Sequence, residues 1–94
     1  MDPRLSPIFD INILSGKWYE YPMARVSGTF VRDGKTETFD AGFLVVSDGT
    51  PDWVDIFALD ITLPTNLMPI VMGGDEREVF RQRIKAWVNK NMCG

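Results

Sequence analysis

The stretch "VSGTFVRDGKTETFDAGFLVV", residues 26–46, decides the fold. Asp33-Gly34 stands in it between two runs rich in β-branched and aromatic residues. Asp-Gly is the preferred pair for a two-residue type I′ turn, because both positions of that turn need a positive φ. Such a turn fixes the register of the hairpin around it. The predicted pairs are Arg32 with Lys35, Val31 with Thr36, Phe30 with Glu37, and Gly28 with Phe39, whose ring covers the strand glycine.

Other segments around this hairpin also have the composition of strands. Residues 8–14 alternate loosely and fit either a short strand or a turn of helix. Residues 17–21 are aromatic and end at Pro22, which limits a strand or stops it. In residues 53–61, "WVDIFALDI", strict alternation gives two faces that are both largely apolar. This pattern predicts a central strand covered on both sides. The turn before this strand is predicted at Asp48-Gly49, lengthened by Pro51.

One helix is predicted from Glu76 to about Asn89. Asp75 is a good N-cap, and Glu78 three residues later completes the capping-box pattern. The apolar residues at helical spacing form one stripe of Phe80, Ile84, Trp87 and Val88. Strands followed by a single helix are typical of an α+β fold. The sequence therefore predicts an antiparallel meander sheet of four or five strands, with one C-terminal helix packed across one face.

Length and charge limit the class of protein. The chain has 94 residues, which favours a single domain over residues 1–94, and its 45% hydrophobic content is that of a globular protein. The formal net charge of −3 argues against nucleic acid as a partner, because phosphate binding needs a basic face. The first residues resemble neither a secretory signal nor a membrane span, so we expect a cytoplasmic protein without a membrane partner.

The composition also limits the possible chemistry. The chain has no histidine, which excludes Ser-His-Asp and Cys-His catalysis and histidine-ligated metals. Its one cysteine, Cys93, excludes an intramolecular disulfide and cysteine-rich metal sites. We therefore assign no catalytic residue, cofactor or metal. Asp55 interrupts an apolar strand and is the best candidate for acid–base chemistry, which would also need Asp60, Tyr19 or Arg25 nearby.

A surface for a protein partner or a small apolar ligand is predicted from two segments. Residues 63–72 are apolar but contain two prolines, so they cannot form a long helix and are predicted to pack on another surface. Methionines suit an adaptable contact surface, and tyrosines beside a strand edge suit an interface. The predicted surface consists of Tyr19, Tyr21, Leu67, Met68, Ile70, Val71 and Met72. The surplus of apolar surface also predicts a homodimer.

The predicted helix carries a basic face of Arg77, Arg81 and Lys85, spaced four residues apart. Three interpretations remain open. The face is solvated and follows the preference of helix C-terminal halves for cations, or it meets an acidic surface on a partner or second copy, or it contacts nucleic acid. No aromatic residue interleaves these positions, which weakens the third interpretation.

Residues 9–22, "FDINILSGKWYEYP", resemble the N-terminal signature of lipocalins. Gly16 and Trp18 match the Gly-x-Trp that opens the first strand of that barrel. The surrounding residues that resemble the signature are Phe9, Asp10, Tyr19 and Glu20. The resemblance implies a barrel plugged by Trp18 that carries a small hydrophobic ligand. Such a barrel has eight strands, whereas this chain offers four or five, so Gly16 is instead predicted to turn the chain and Trp18 to pack into the sheet.

These observations do not predict a specific biochemical function. The leading hypothesis is a small non-catalytic binding or interaction protein. The alternatives are a small carboxylate-dependent enzyme centred on Asp55 and a lipocalin-like carrier of small ligands.

Overall fold

The computed structural model describes residues 8–20, 22–47, 54–65, 68–70 and 72–92. Its elements are β1 (Ile8–Trp18), β2 (Met23–Arg32), β3 (Lys35–Ser47), β4 (Val54–Thr62) and α1 (Gly74–Asn91). The strands pair antiparallel in the order β1-β2-β3-β4, and α1 packs against the sheet. The predicted α+β fold is confirmed, with four strands in the meander. Within the described residues, no helix is both long and apolar enough to span a membrane.

The hairpin between β2 and β3 has the predicted register. Asp33 and Gly34 have φ values of 54° and 74°, as a type I′ turn requires. A close contact with β1 also requires glycine at position 28, because a Cβ there would stand 2.0 Å from the carbonyl oxygen of Asn12. The confirmed pairs are Arg32 with Lys35, Val31 with Thr36, Phe30 with Glu37, and Gly28 with Phe39.

The core lies between α1 and the inner face of the sheet. Three phenyl rings meet there, from Phe30 of β2, Phe39 of β3 and Phe80 of α1, and each is 0% exposed. Their centroids lie 5.1 to 6.2 Å apart, in the edge-on and tilted arrangements that aromatic pairs prefer. Ile84 and Val88 continue the buried stripe along α1. The predicted apolar stripe of the helix therefore holds α1 on the sheet.

β4 differs from its prediction both in position and in the faces that it presents. It lies at one end of the strand order and not in the centre. Ala58 has a φ of 54° at a break in the pairing with β3, and this bulge brings Leu59 and Ile61 to the same buried face as Ile56. Phe57 stays exposed, so β4 is covered on one side only. The turn predicted before β4 lies outside the described residues, together with Asp48, Gly49, Pro51 and Trp53.

The first turn of α1 ties the helix to the sheet. The helix begins at Gly74 with Gly73 as the N-cap, two residues before the predicted cap Asp75. Glu76 makes the capping contact, because its Oε1 accepts the N–H of Gly73 at 3.3 Å. Its Oε2 accepts the N–H of Ile8 at 2.9 Å and lies 3.8 Å from Nη2 of Arg32. One carboxylate therefore joins the start of α1 to β1 and β2.

Candidate binding surface

The outer face of the sheet, opposite α1, carries an exposed apolar row. Paired residues of neighbouring antiparallel strands point to the same side of a sheet. Met23 of β2 pairs with Leu44 of β3, which pairs with Phe57 of β4. The N–H of Tyr19 donates to the carbonyl of Met23 at 3.0 Å and continues the row past the end of β1. We call Tyr19, Met23, Leu44 and Phe57 the apolar row.

Three members of the apolar row are more than half exposed, and Leu44 between them is half-buried. Tyr19 is 57% exposed, Met23 is 51% exposed and Phe57 is 52% exposed. Val46, two residues beyond Leu44 on the same face of β3, is also exposed. The largest contiguous apolar patch on a monomeric protein is often a functional one.

A row of charged residues borders the apolar row on the same face. Lys17 pairs with Arg25, Arg25 with Gly42, and Gly42 with Asp60. We call these four residues the charged row. Its cations lie on the β1 and β2 side, and its carboxylate lies on β4. Lys17 Nζ stands 5.1 Å from the centre of the Tyr19 ring, whereas no cation in the described part of the chain pairs with Asp60.

Two grooves follow these rows. The first has a volume of about 370 Å³, and Tyr19, Met23, Leu44 and Asp60 are among its lining residues. Gly42 also lines this groove. A Cβ on Gly42 would find no described heavy atom within 4 Å, so this glycine leaves an opening in the surface.

The second groove has a volume of about 470 Å³ and is lined by both polar and apolar groups. The hydroxyl oxygens of Ser15 and Ser27 lie 2.8 Å apart in its lining, and Nη2 of Arg25 lies 3.7 Å from Oδ2 of Asp40. The outer face therefore has an apolar stretch flanked by polar groups, which is the anatomy of many interfaces.

The residues of the predicted surface are divided between different parts of the molecule. Tyr19 belongs to the apolar row. Met68 is exposed in the segment after β4, where its carbonyl accepts the N–H of Leu63 at 3.0 Å. Ile70 and Met72 are partly buried and pack against the core. The other predicted residues lie outside the described part of the chain: Tyr21, Leu67 and Val71.

Sequence reasoning missed most of the apolar row. The pairing of Met23 with Leu44 follows from the same Asp-Gly turn that predicted the rest of the hairpin, so the register already contained this signal. For Phe57 the sequence contained no such signal. Strict alternation places it on the same face as Leu59 and Ile61, and the bulge at Ala58 puts them on opposite faces. An alanine gives no indication in the sequence of a positive φ.

The predicted basic face of α1 lies along the free edge of β4. Nη2 of Arg77 donates to the carbonyl of Leu59. Nη2 of Arg81 and Nζ of Lys85 lie 3.4 Å and 3.7 Å from Oδ1 of Asp55. All three cations therefore have partners within the chain and fasten α1 to β4, an arrangement that none of the sequence-based interpretations described.

Asp55 is placed for a structural contact. Its Oδ1 also accepts the N–H of Ile56 at 2.8 Å, and its side chain is 24% exposed. Asp60 pairs with Gly42 and Asp55 with Val46, a separation of about 13 Å along β3. The two carboxylates are therefore not brought together as an acid–base pair. The described residues contain no group of three acidic or thiol side chains that could hold a metal ion.

Asn89 of α1 is a further contact that the sequence did not reveal. Its Oδ1 accepts the N–H of Val54 at 2.8 Å, and its Nδ2 donates to the carbonyl of Val54 at 3.0 Å. The side-chain amide thus occupies both backbone groups of Val54, as a neighbouring strand would.

Gly16 has a different role from the one that the sequence predicted. Gly16 lies within β1 and not in a turn, and a Cβ there would stand 2.6 Å from Cζ3 of Trp87. The glycine therefore makes room for an indole of α1. Trp18 ends β1 and is partly exposed. The described strands form a four-stranded sheet with β1 and β4 at its ends, where the lipocalin resemblance implied an eight-stranded barrel.

No protein-family model, curated protein or solved structure matches this chain.

Proposed function

We propose that the protein is a small non-catalytic binding protein and that the outer face of its sheet is the binding surface. The exposed apolar row is the observation that carries this proposal. Burial of apolar surface contributes about 25 cal/mol per Å², so covering about 300 Å² contributes about 7 kcal/mol before the cost of association. The occupant is a protein surface or a small apolar ligand.

The groove beside Gly42 supports the same proposal. It is bordered by apolar side chains and by the charges of Arg25 and Asp60, so it offers both buried area and orienting polar groups. A lipocalin-like carrier would enclose its ligand in a barrel, whereas this groove lies on a sheet face. We therefore propose surface binding for a small ligand.

A dye titration tests this surface. The probe is 8-anilinonaphthalene-1-sulfonate, which has apolar rings and one anionic group. The Cβ of Gly42→Val would meet no described heavy atom within 4 Å, and its two methyl groups take up room in the groove. The variant should weaken dye binding at least about fivefold, which corresponds to about 1 kcal/mol. Thr38→Val is the matched control, because it adds the same side chain on the same face of β3 outside the groove. Equal dye affinity for both variants would show that the groove is not the site.

A second candidate function is an enzyme centred on Asp55, favoured by the position of this carboxylate between two cations. Asp55→Asn distinguishes the two functions. We expect the variant to lose about 1 kcal/mol of unfolding free energy, because the ion pairs with Arg81 and Lys85 are lost. We expect its dye binding to be unchanged. Urea denaturation and assays with chromogenic esters, phosphates and glycosides provide the measurements. Turnover that disappears in a stably folded variant would favour the enzyme.

The homodimer, the cytoplasmic location and the exclusion of nucleic acid stay predictions. The contacts of Arg77, Arg81 and Lys85 with β4 give no support to a nucleic-acid surface on that side of α1.

A further inference from the structure

We propose that the occupant of the outer face is a second copy of this chain, packed face to face about a twofold axis that runs parallel to the strands. This inference rests on the proposed function, since it names the partner of the same surface. The apolar row and the charged row are both self-complementary under this symmetry, and that property carries the inference.

The symmetry fixes which residues face each other. A twofold axis parallel to the strands reverses their order in the copy, so β1 lies over β4 and β2 lies over β3. Tyr19 then faces the partner's Phe57, and Met23 faces the partner's Leu44. Aligned sheets pack about 10 Å apart and about 30° off parallel, which suits side chains of this size.

The charged row matches its copy in the same orientation. Lys17 faces the partner's Asp60, the carboxylate that lacks a cation among the described residues. Arg25, a long side chain, faces the opening at the partner's Gly42. Opposite charges and unequal sizes therefore meet, as complementary interfaces require.

The alternative axis, perpendicular to the strands, is unfavourable. When it passes through the charged row, it keeps the strand order and places Arg25 over the partner's Arg25 and Asp60 over the partner's Asp60. Like charges in direct opposition are destabilising. The charge pattern therefore disfavours a perpendicular axis through the charged row and favours the axis parallel to the strands.

The size of the contact sets the expected strength. Two rows across four strands cover roughly 19 by 14 Å, which is well below the roughly 800 Å² that each partner buries in a standard interface. Small interfaces are typical of weak and transient association. We therefore expect a reversible dimer with a dissociation constant in the micromolar range, so its detection requires a concentration series.

A charge-exchange experiment tests the inference. Sedimentation and native mass spectrometry would follow the wild type, Lys17→Glu and Asp60→Lys from about 1 µM to about 1 mM. Each variant should dimerise at least about tenfold more weakly, because two like-charge contacts form. An equimolar mixture of the two variants should form a heterodimer near wild-type strength. In that heterodimer the two substituted side chains face each other with opposite charges, and the unchanged Lys17 of one chain faces the unchanged Asp60 of the other.

Lys35→Glu and Glu37→Lys are the matched controls, since both positions are exposed near the β2–β3 turn and outside the two rows. Neither should weaken the dimer. A wild type that stays monomeric at every concentration would overturn the inference. So would a dimer that the changes at Lys17 and Asp60 leave unaffected.

The dye titration separates this failure from failure of the proposed function. It is done at low protein concentration, where the outer face is free. A monomer whose dye binding still depends on Gly42 would refute the second copy as partner and leave the binding surface in place. A monomer without Gly42-dependent dye binding would refute both.

Discussion

Two glycines of the sheet, Gly28 and Gly42, differ in the space that surrounds them. At Gly28 an added Cβ would strike the backbone of Asn12, a group that cannot rotate away. At Gly42 it would find no described heavy atom within 4 Å. Neither glycine has a positive φ, so the contrast concerns the space around them and not the backbone conformation. Gly28 permits two strands to approach, whereas Gly42 leaves an opening on the surface.

Alanine substitution should separate the two glycines. Gly28→Ala should lower the free energy of unfolding by about 2–3 kcal/mol, because β1 must shift. Gly42→Ala should leave it unchanged or raise it by up to about 1 kcal/mol, because alanine restricts the unfolded chain. Urea denaturation of both variants measures the difference. Equal stabilities would contradict the close approach of β1 to Gly28.

At the scale of residues, the sequence predicted what local chemistry determines. Asp33-Gly34 gave the turn and the pairs of the hairpin, because the φ preferences belong to those two residues. The contact between Gly16 and Trp87 joins residues 71 positions apart, which no local pattern encodes. The hydrogen bond between Asn89 and Val54 is likewise not encoded locally, because it depends on how α1 lies on the sheet.

At the scale of elements, α1 and the segment after β4 occupy the free edge of β4. Asn89 takes both backbone groups of Val54, and Asp55 takes the N–H of Ile56. Further along, the carbonyl of Ile61 accepts the N–H of Ile70 at 3.1 Å. Edge strands with free backbone groups invite pairing with other chains. This edge is protected, which disfavours the pairing of another chain along β4.

Removal of the side-chain amide at Asn89 should expose part of this edge. Asn89→Ala should lower the free energy of unfolding by about 1–3 kcal/mol, because the two hydrogen bonds to Val54 are lost. Hydrogen exchange at the Val54 amide should accelerate in parallel. Asn91→Ala is the control, since Asn91 donates to the carbonyl of Trp87 at the exposed end of α1. This variant should cost about 0.5 kcal/mol or less. Similar effects from both variants would contradict a specific role for Asn89.

Element patterns in the sequence were reliable where they were periodic. The stripe of Phe80, Ile84 and Val88 placed α1 correctly on the sheet. The prediction that residues 53–61 are covered on both sides was wrong, because it assumed strict alternation through Ala58. The extra residue at this bulge moves the residues that follow it to the other face of the sheet. The helix start was placed too late, because Asp75 is a better N-cap by composition than the glycine that holds the position.

At the scale of the whole molecule, the class of fold followed from the order of strand and helix signals, but the binding surface did not. The apolar row exists only after three strands are paired in register, and it includes Met23 and Phe57 from distant parts of the chain. The apolar residues that suggested self-association are partly used within the fold, since Ile70 and Met72 pack against the core. The proposed dimer therefore rests on the outer face.

The position of α1 after the sheet has a consequence during synthesis. Phe30 and Phe39 leave the ribosome before Phe80, which follows them in the chain after the whole of β4. At typical translation rates of about 5–20 residues per second, the inner face of the sheet stays uncovered for several seconds before α1 is synthesised. During that interval the nascent chain exposes two phenylalanines that the finished protein hides completely. Chaperones that bind apolar segments can bind the nascent chain in this interval, and slower translation of α1 would prolong it.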